Sequence, residues 1–173
     1  MKIEQVIYLF CCFQLLFFPL KAQKRDSCDC YVLMNPDFKG KVGLYDKKGN
    51  LTKYLKQNFK DEDFIVFQVL EDSDSLFNVL AMYSIAGNIA KGWVKKSDVI
   101  GTYLASYGGN IAIYDEPDKK SKKKIIPDWT NRLVAVSACK SKWVKISLLQ
   151  KGKKYIGWLP PESQCADAYS TCN

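Results

Sequence analysis

Val42-Gly43-Leu44-Tyr45-Asp46 returns as Ile111-Ala112-Ile113-Tyr114-Asp115. Leu76-Phe77-Asn78-Val79 returns as Trp143-Val144-Lys145-Ile146, and Gly92-Trp93-Val94 returns as Gly157-Trp158-Leu159. The three blocks keep their order, at offsets of 65 to 69 residues. Each is short, apolar and rich in β-branched or aromatic residues, and no helical period runs through them. A repeat of that size and character predicts two copies of one small all-β unit.

The segments between the blocks read as strands and turns. Lys41 to Tyr45 predicts the first strand, followed by the turn Asp46-Lys47-Lys48-Gly49-Asn50. Leu51 to Lys60 is compatible with a helical turn or a second short strand. Phe64 to Leu70 is the best strand of this half, and Leu76 to Ser84 with Ala90 to Lys95 predicts a hairpin around Gly87-Asn88. Tyr103 to Tyr107 reads as a connecting strand and Gly108-Gly109-Asn110 as the hinge. Ile111 to Tyr114, Leu133 to Ala138, Trp143 to Leu149 and Tyr155 to Leu159 then repeat the pattern until Pro160-Pro161 stops it. Residues 38–100 and 104–163 are the expected units, with about five strands each. A unit that small buries only about 60% of its unfolded surface, so the two copies are expected to pack together.

The ends have a different character. Lys2 precedes a run from Val6 to Leu20 that is apolar except for Gln14, and Ala22-Gln23 follows Pro19. This run has the size of a signal-peptide core and is short for a bilayer span, so residues 1–22 read as a signal peptide. An uncleaved membrane anchor is the competing reading. Residues 23–37 form a cysteine-bearing arm with a turn at Asn35-Pro36-Asp37, and residues 164–173 a cysteine-bearing tail. Export would make the protein secreted or periplasmic. In such a compartment Cys28, Cys30, Cys139, Cys165 and Cys172 are disulfide candidates, and the odd number leaves at least one unpaired within the chain. A bridge from Cys28 or Cys30 to Cys165 or Cys172 is the expectation, stabilising by up to about 4 kcal/mol. A four-thiolate zinc site is the alternative, but the chain has no C-x2-C spacing.

Composition excludes several chemistries. The sequence has no histidine, which removes Ser-His-Asp and Cys-His nucleophile pairs and the usual zinc hydrolase sites. No carboxylate pair is placed for glycoside cleavage. Asp61-Glu62-Asp63 and Asp72-Ser73-Asp74 lack the calcium-loop pattern and read as solvated turns. Asn50-Leu51-Thr52 matches a glycosylation sequon by pattern alone. No enzymatic activity, cofactor or metal is expected. Residues 23–100 carry twelve Lys/Arg against eleven Asp/Glu, whereas residues 101–173 carry twelve against six. The excess charge belongs to the second copy and favours an anionic partner.

The block pattern resembles bacterial SH3-type (SH3b) domains, two in tandem, over roughly residues 38–163. The resemblance rests on Ile111 to Asp115, Trp143-Val144-Lys145-Ile146 and Gly157-Trp158-Leu159, with Gly92-Trp93-Val94 in the first copy. The family's Asn-x-Arg-x-x-Pro signature is absent from both copies, and only Pro117 echoes it. The resemblance implies a small, strongly bent five-stranded SH3-like barrel per repeat. It also implies a module that targets cell-wall peptidoglycan or binds peptides.

Candidate ligand-binding residues gather in the second copy. Tyr114, Trp129 and Trp158 are candidate stacking residues for sugar or proline rings. Barrel packing is the competing reading of Trp143 and of both Gly-Trp pairs. Lys120, Lys122, Lys123 and Lys124, with Lys119 beside them, form a basic run that predicts an anion-attracting patch. Lysines serving only solubility are the alternative. The favoured ligand is peptidoglycan or another anionic cell-envelope polymer, a cell-wall glycan or peptide. The alternative is a protein-interaction or inhibitor module that docks an acidic envelope protein. No nucleic acid and no transmembrane segment in the mature chain are expected.

Overall fold

A computed structural model describes residues 27–105, 109–129 and 132–169. The signal-peptide segment and Cys172 lie outside these residues. Thirteen strands follow one another: β1 (Cys30–Met34), β2 (Val42–Tyr45), β3 (Leu51–Leu55), β4 (Ile65–Asp72), β5 (Leu76–Tyr83), β6 (Gly87–Lys95), β7 (Ile100–Leu104), β8 (Ile111–Tyr114), β9 (Lys123–Ile126), β10 (Val134–Lys140), β11 (Trp143–Gln150), β12 (Lys153–Leu159) and β13 (Gln164–Cys165). One 3-10 turn, Pro161–Ser163, precedes β13. Among the described residues there is no α-helix, so the chain is all-β.

The strands form one antiparallel sheet in the order β3-β2-β6-β5-β4-β1-β7-β10-β11-β12-β8-β9, with β13 added on β7. Its two halves follow one rule. Adding six to each strand number of β3-β2-β6-β5-β4-β1 produces β9-β8-β12-β11-β10-β7. The internal repeat is therefore visible in the strand pairing and not only in the sequence. It extends to irregularities: the β4–β5 register shifts between Val69 and Glu71, and the β10–β11 register shifts between Val136 and Ala138. These are β-bulges at matching positions.

The order also corrects the expected boundaries. The arm over residues 23–37 contains β1, which pairs with β4 through Cys30–Val69 to Leu33–Val66. Each half thus has six strands, not five. Leu51 to Leu55 resolves as a strand rather than a helical turn. Tyr103 and Leu104, expected to begin a connecting strand, instead end β7, which pairs with β1, β10 and β13. It opens the second half and, through β1, joins it to the first.

Alternation sets which residues turn inward. Val144, Ile146 and Leu148 of β11 are buried while Ser147 and Leu149 face out. Phe77, Val79 and Ala81 do the same on β5. These side chains belong to one apolar cluster that runs from Val32 and Phe67 in the first half to Ile113 and Leu159 in the second. The paired copies share a core, as their small size requires.

Two kinds of glycine are dictated by close approach. A Cβ on Gly101 would lie 2.2 Å from the Val134 carbonyl oxygen, because β7 and β10 meet backbone to backbone there. A Cβ on Gly92 would meet the Tyr45 carbonyl at 2.9 Å, and one on Gly157 the Tyr114 carbonyl at 2.8 Å. The repeated Gly-Trp block is thus the point where β6 or β12 presses on the first strand of its own copy.

The acidic turns are not simply solvated. Asp63 is buried, and its carboxylate accepts hydrogen bonds from the Ile85 and Ala86 backbone N–H groups at 2.9 Å each. Asp72 accepts from the Cys139 N–H at 2.7 Å, and its other oxygen lies 2.5 Å from Lys96 Nζ. Residues 72 and 139 hold corresponding places in the two copies, so this bond ties the repeats to each other.

The disulfide differs from the expected end-to-end staple. Cys30 bonds Cys139, joining β1 to the end of β10 across 109 residues. Cys165 is also disulfide-bonded. Cys28 is a free, buried thiol whose Sγ donates to the Cys139 carbonyl at 3.1 Å. Burial, with the nearby Asp72 charge adding to it, pushes its pKa up to about 11.

Four outcomes are expected. Peptide mapping without reduction should recover Cys30 linked to Cys139. Cys28 should resist alkylation until denaturant is added. Because the native thiol holds its proton above the unfolded value of 9.0, stability should fall as pH rises from about 9 to about 11, by roughly 2 kcal/mol. Gly101→Ala should lower stability by about 1–3 kcal/mol in urea unfolding, since backbone has to shift to admit the methyl group.

Candidate functional site

Register places the second copy's aromatics in a line. Tyr114 on β8 stands opposite Lys123 on β9 and opposite Trp158 on β12. Trp158 in turn stands opposite Lys145 on β11, and Lys145 opposite Ala138 on β10. Directly opposed residues of an antiparallel pair share a face. The result is a cross-strand row, Lys123–Tyr114–Trp158–Lys145–Ala138. Tyr114 and Trp158 are half-buried, Lys123 is exposed, and the Lys145 ammonium lies 5.8 Å from the Trp158 ring centroid. Trp143 packs edge-on against Tyr114 at 5.5 Å between centroids and holds its ring in place.

The loop between β8 and β9 borders this row. It is organised by its own polar groups: Lys120 N–H donates to the Asp118 carboxylate at 2.9 Å, and Ser121 Oγ donates to the Glu116 carbonyl at 3.1 Å. Lys119 pairs with Glu162 at 2.7 Å, and Lys124 pairs with Asp115. The Lys124 contact holds the Asp115 carboxyl below the usual range. Glu162 raises the Lys119 ammonium and is itself lowered in return. Among the described residues, Lys120, Lys122 and Lys123 form no ion pair.

The first copy presents the same row with other chemistry. Leu51, Tyr45, Trp93, Asn78 and Glu71 follow one another across β3, β2, β6, β5 and β4. Asn78 donates to Glu71 at 2.8 Å, and Leu76 stands where the second copy has Trp143. The loop after Tyr45 is a tight turn in which Asp46 accepts from the Lys48 and Asn50 N–H groups. The aromatic pair is kept while the flanking lysines of the row are replaced by Leu51 and Asn78.

The second copy's row ends at a groove of about 410 Å³ between the halves. Asp72, Ser73, Asp74 and Lys96 of the first copy face Ala138, Cys139, Lys140 and Trp158 of the second. Nothing in the sequence placed the 72–74 turn beside Trp158. The pairing of β7 with β1 and β10, the Asp72–Cys139 bond and the Cys30–Cys139 disulfide bring them together.

Of the expected site residues, Tyr114, Trp158 and Lys123 meet in the row, and Lys120, Lys122 and Lys124 lie on the adjoining hairpin. Trp129 does not join them. It is fully buried, its backbone N–H donates to the Gly109 carbonyl at 3.1 Å, its indole N–H has no hydrogen-bond partner among the described residues, and Arg132 covers its ring at 5.0 Å. It is a core residue because an apolar wall replaces the solvent its indole would need for stacking. Lys145 was missed; its place opposite Trp158 follows from the hairpin register, which the paired blocks alone do not fix. Among the described residues, no group of three or more Cys, Asp or Glu side chains converges to hold a metal. No helix among them is long and apolar enough to cross a membrane.

Comparison of this chain with protein-family models, with curated proteins and with solved structures returns no match.

Trp129→Ala should separate core from surface. It is expected to cost about 3–5 kcal/mol in equilibrium unfolding. Tyr114→Ala, at a half-buried position, should cost clearly less. Equal losses would put Tyr114 in the core as well.

Proposed function

We propose that the chain is an exported, non-catalytic binding protein made of two SH3-type (SH3b) repeats. Its second repeat carries the ligand surface, and its ligand is peptidoglycan or another anionic polymer of the cell envelope. The repeated strand order, the matched bulges and the Tyr–Trp pairing at each Gly-Trp block support the repeat reading. Export, by way of the N-terminal apolar segment, rests on the sequence and on the buried disulfide between Cys30 and Cys139.

The observation that carries the binding reading is the row Lys123–Tyr114–Trp158–Lys145. Two flat rings between two ammonium groups suit a polymer that offers ring faces and acid groups in alternation. The unpaired Lys120 and Lys122 extend the positive rim along the β8–β9 loop. The first repeat keeps the rings and lacks the row's lysines, so its row serves as an internal comparison within one molecule.

The test is co-sedimentation with purified cell-wall sacculi over a range of salt. The parent protein should pellet and be released as salt rises, because exposed charges are screened. Replacing Lys120, Lys122 and Lys123 together with Ser should weaken capture roughly tenfold and flatten the salt dependence. Folding should be unaffected, as exposed loop charges shift stability by less than about 0.5 kcal/mol. Tyr114→Ala should weaken capture without altering the salt slope. Variants that pellet like the parent at low salt would overturn the reading. Failure to pellet, with retention of one acidic envelope protein, would favour the protein-docking alternative.

A further inference from the structure

We propose that the groove between the two repeats is a second binding subsite, and that it takes an uncharged sugar ring. It shares Trp158 and Ala138 with the lysine-flanked row, and none of the row's lysines. It adds a class of ligand residue to the proposed function and rests on that reading only to the extent that one polymer would span both.

The chemistry of the walls decides the class. One wall supplies Trp158, a half-buried indole. The other supplies the β4–β5 turn, with the Ser73 hydroxyl and the exposed Asp74 carboxylate, and Lys140 stands on the rim. Asp74 carries no hydrogen bond or ion pair among the described residues. At the back, Asp72 and Lys96 neutralise each other at 2.5 Å, and Lys96 is held further by the Phe77 ring at 4.7 Å. The lining thus offers two carboxylates and two ammonium groups with no net charge. With Asp72 and Lys96 paired, an anion would still meet Asp74 and a cation would still meet Lys140. A neutral polyhydroxylated ring meets neither penalty. Its C–H face fits an indole, a carboxylate accepts its hydroxyl protons, and an ammonium donates to its oxygens. A volume of about 410 Å³ lies within the range of small-ligand sites.

The groove is also held open before any ligand arrives. The Cys139 N–H bond to Asp72 and the Cys30–Cys139 disulfide pin the backbone of its floor. Binding therefore costs little ordering of the protein. The row leads into the groove through Trp158, Lys145 and Ala138. A glycan chain lying along the row would present successive residues first to the lysines and then to the seam.

The experiment is an NMR titration of the full-length folded protein with the β-1,4-linked N-acetylglucosamine tetramer and, separately, with the cellulose tetramer. Both are uncharged, so neither needs the lysine loop. At least one should shift the Trp158 indole N–H resonance, with little dependence on salt. Asp74→Ala, on an exposed turn, should weaken that binding about tenfold while leaving the spectrum of the fold intact. The Lys120, Lys122 and Lys123 triple Ser variant should bind the neutral tetramer as the parent does. No shift with either tetramer at millimolar concentration would overturn the subsite. So would unchanged affinity in Asp74→Ala, or loss of binding in the triple lysine variant. Retained sacculus binding alongside any of these results would leave the anionic-polymer reading standing. Tetramer binding without sacculus binding would do the reverse.

Discussion

Strand β7 is the constraint on which the two halves depend. Five residues, Ile100–Leu104, have β10 along one side and β1 followed by β13 along the other. Gly101 stands opposite both Leu33 and Ala135. Few residues besides glycine let two backbones come that close, and none brings a side chain to the contact. A duplicated β-unit ordinarily meets its copy through a linker. Here the opening strand of the second copy pairs directly with the opening strand of the first, so the sheet is continuous and the repeats have no freedom to swing. That is why a groove lined from both copies has a defined shape.

Around that strand the seam is polar, and its central carboxylate is held by one hydrogen bond and one ion pair. Asp72 satisfies the Cys139 N–H and takes Lys96 as counter-ion, and the Lys96 ammonium faces the Phe77 ring. A half-buried carboxylate left alone would oppose folding through its lost hydration. Paired in this way it sets register instead, because a slip of one residue would break both contacts. The disulfide acts on the same point from the other side. It draws β1 onto the end of β10 and closes a long loop, which limits the unfolded chain far more than a short bridge would. Cys28 sits one residue before β1's neighbour in this knot and stays a neutral thiol, since burial and the Asp72 charge both disfavour the thiolate.

Much of this was legible in the chain and the rest was not, for identifiable reasons. The three blocks mark strands that pack identically in each copy: the first strand, the central hairpin strand, and the Gly-Trp strand that crosses the first. Their physical demands are the same twice, so their residues are similar twice. Strands β1 and β7 correspond topologically, yet Cys30-Tyr-Val-Leu-Met34 and Ile100-Gly-Thr-Tyr-Leu104 share no pattern. One lies between β4 and β7 and carries a disulfide. The other sits at a backbone crossing that demands glycine. Different neighbours leave no likeness, so in the sequence β1 reads as part of the N-terminal arm and only the end of β7, Tyr103-Leu104, reads as part of a connecting strand. Asp63 and Asp72 looked like solvated turn residues because their partners are backbone N–H groups and a lysine far away in sequence. Trp129 looked like a binding residue because it stands outside the blocks, where no periodicity assigned it to the core.

Duplication explains the site better than composition does. The cross-strand row exists in both copies because the fold requires a tyrosine carbonyl over a glycine and a tryptophan beside it. That requirement fixes the rings and leaves their neighbours open. In the first copy the neighbours became Leu51, Asn78 and Glu71, which bond to one another or lie apolar. In the second they became Lys123 and Lys145, beside a loop of eight residues where the first copy has five. Charge therefore accumulated on positions the scaffold did not need for stability. A net difference in charge between halves would be uninformative if the lysines were scattered. Aligned by register on one face, and leading into a groove lined by both copies, they form a single charged row that the proposed polymer would follow.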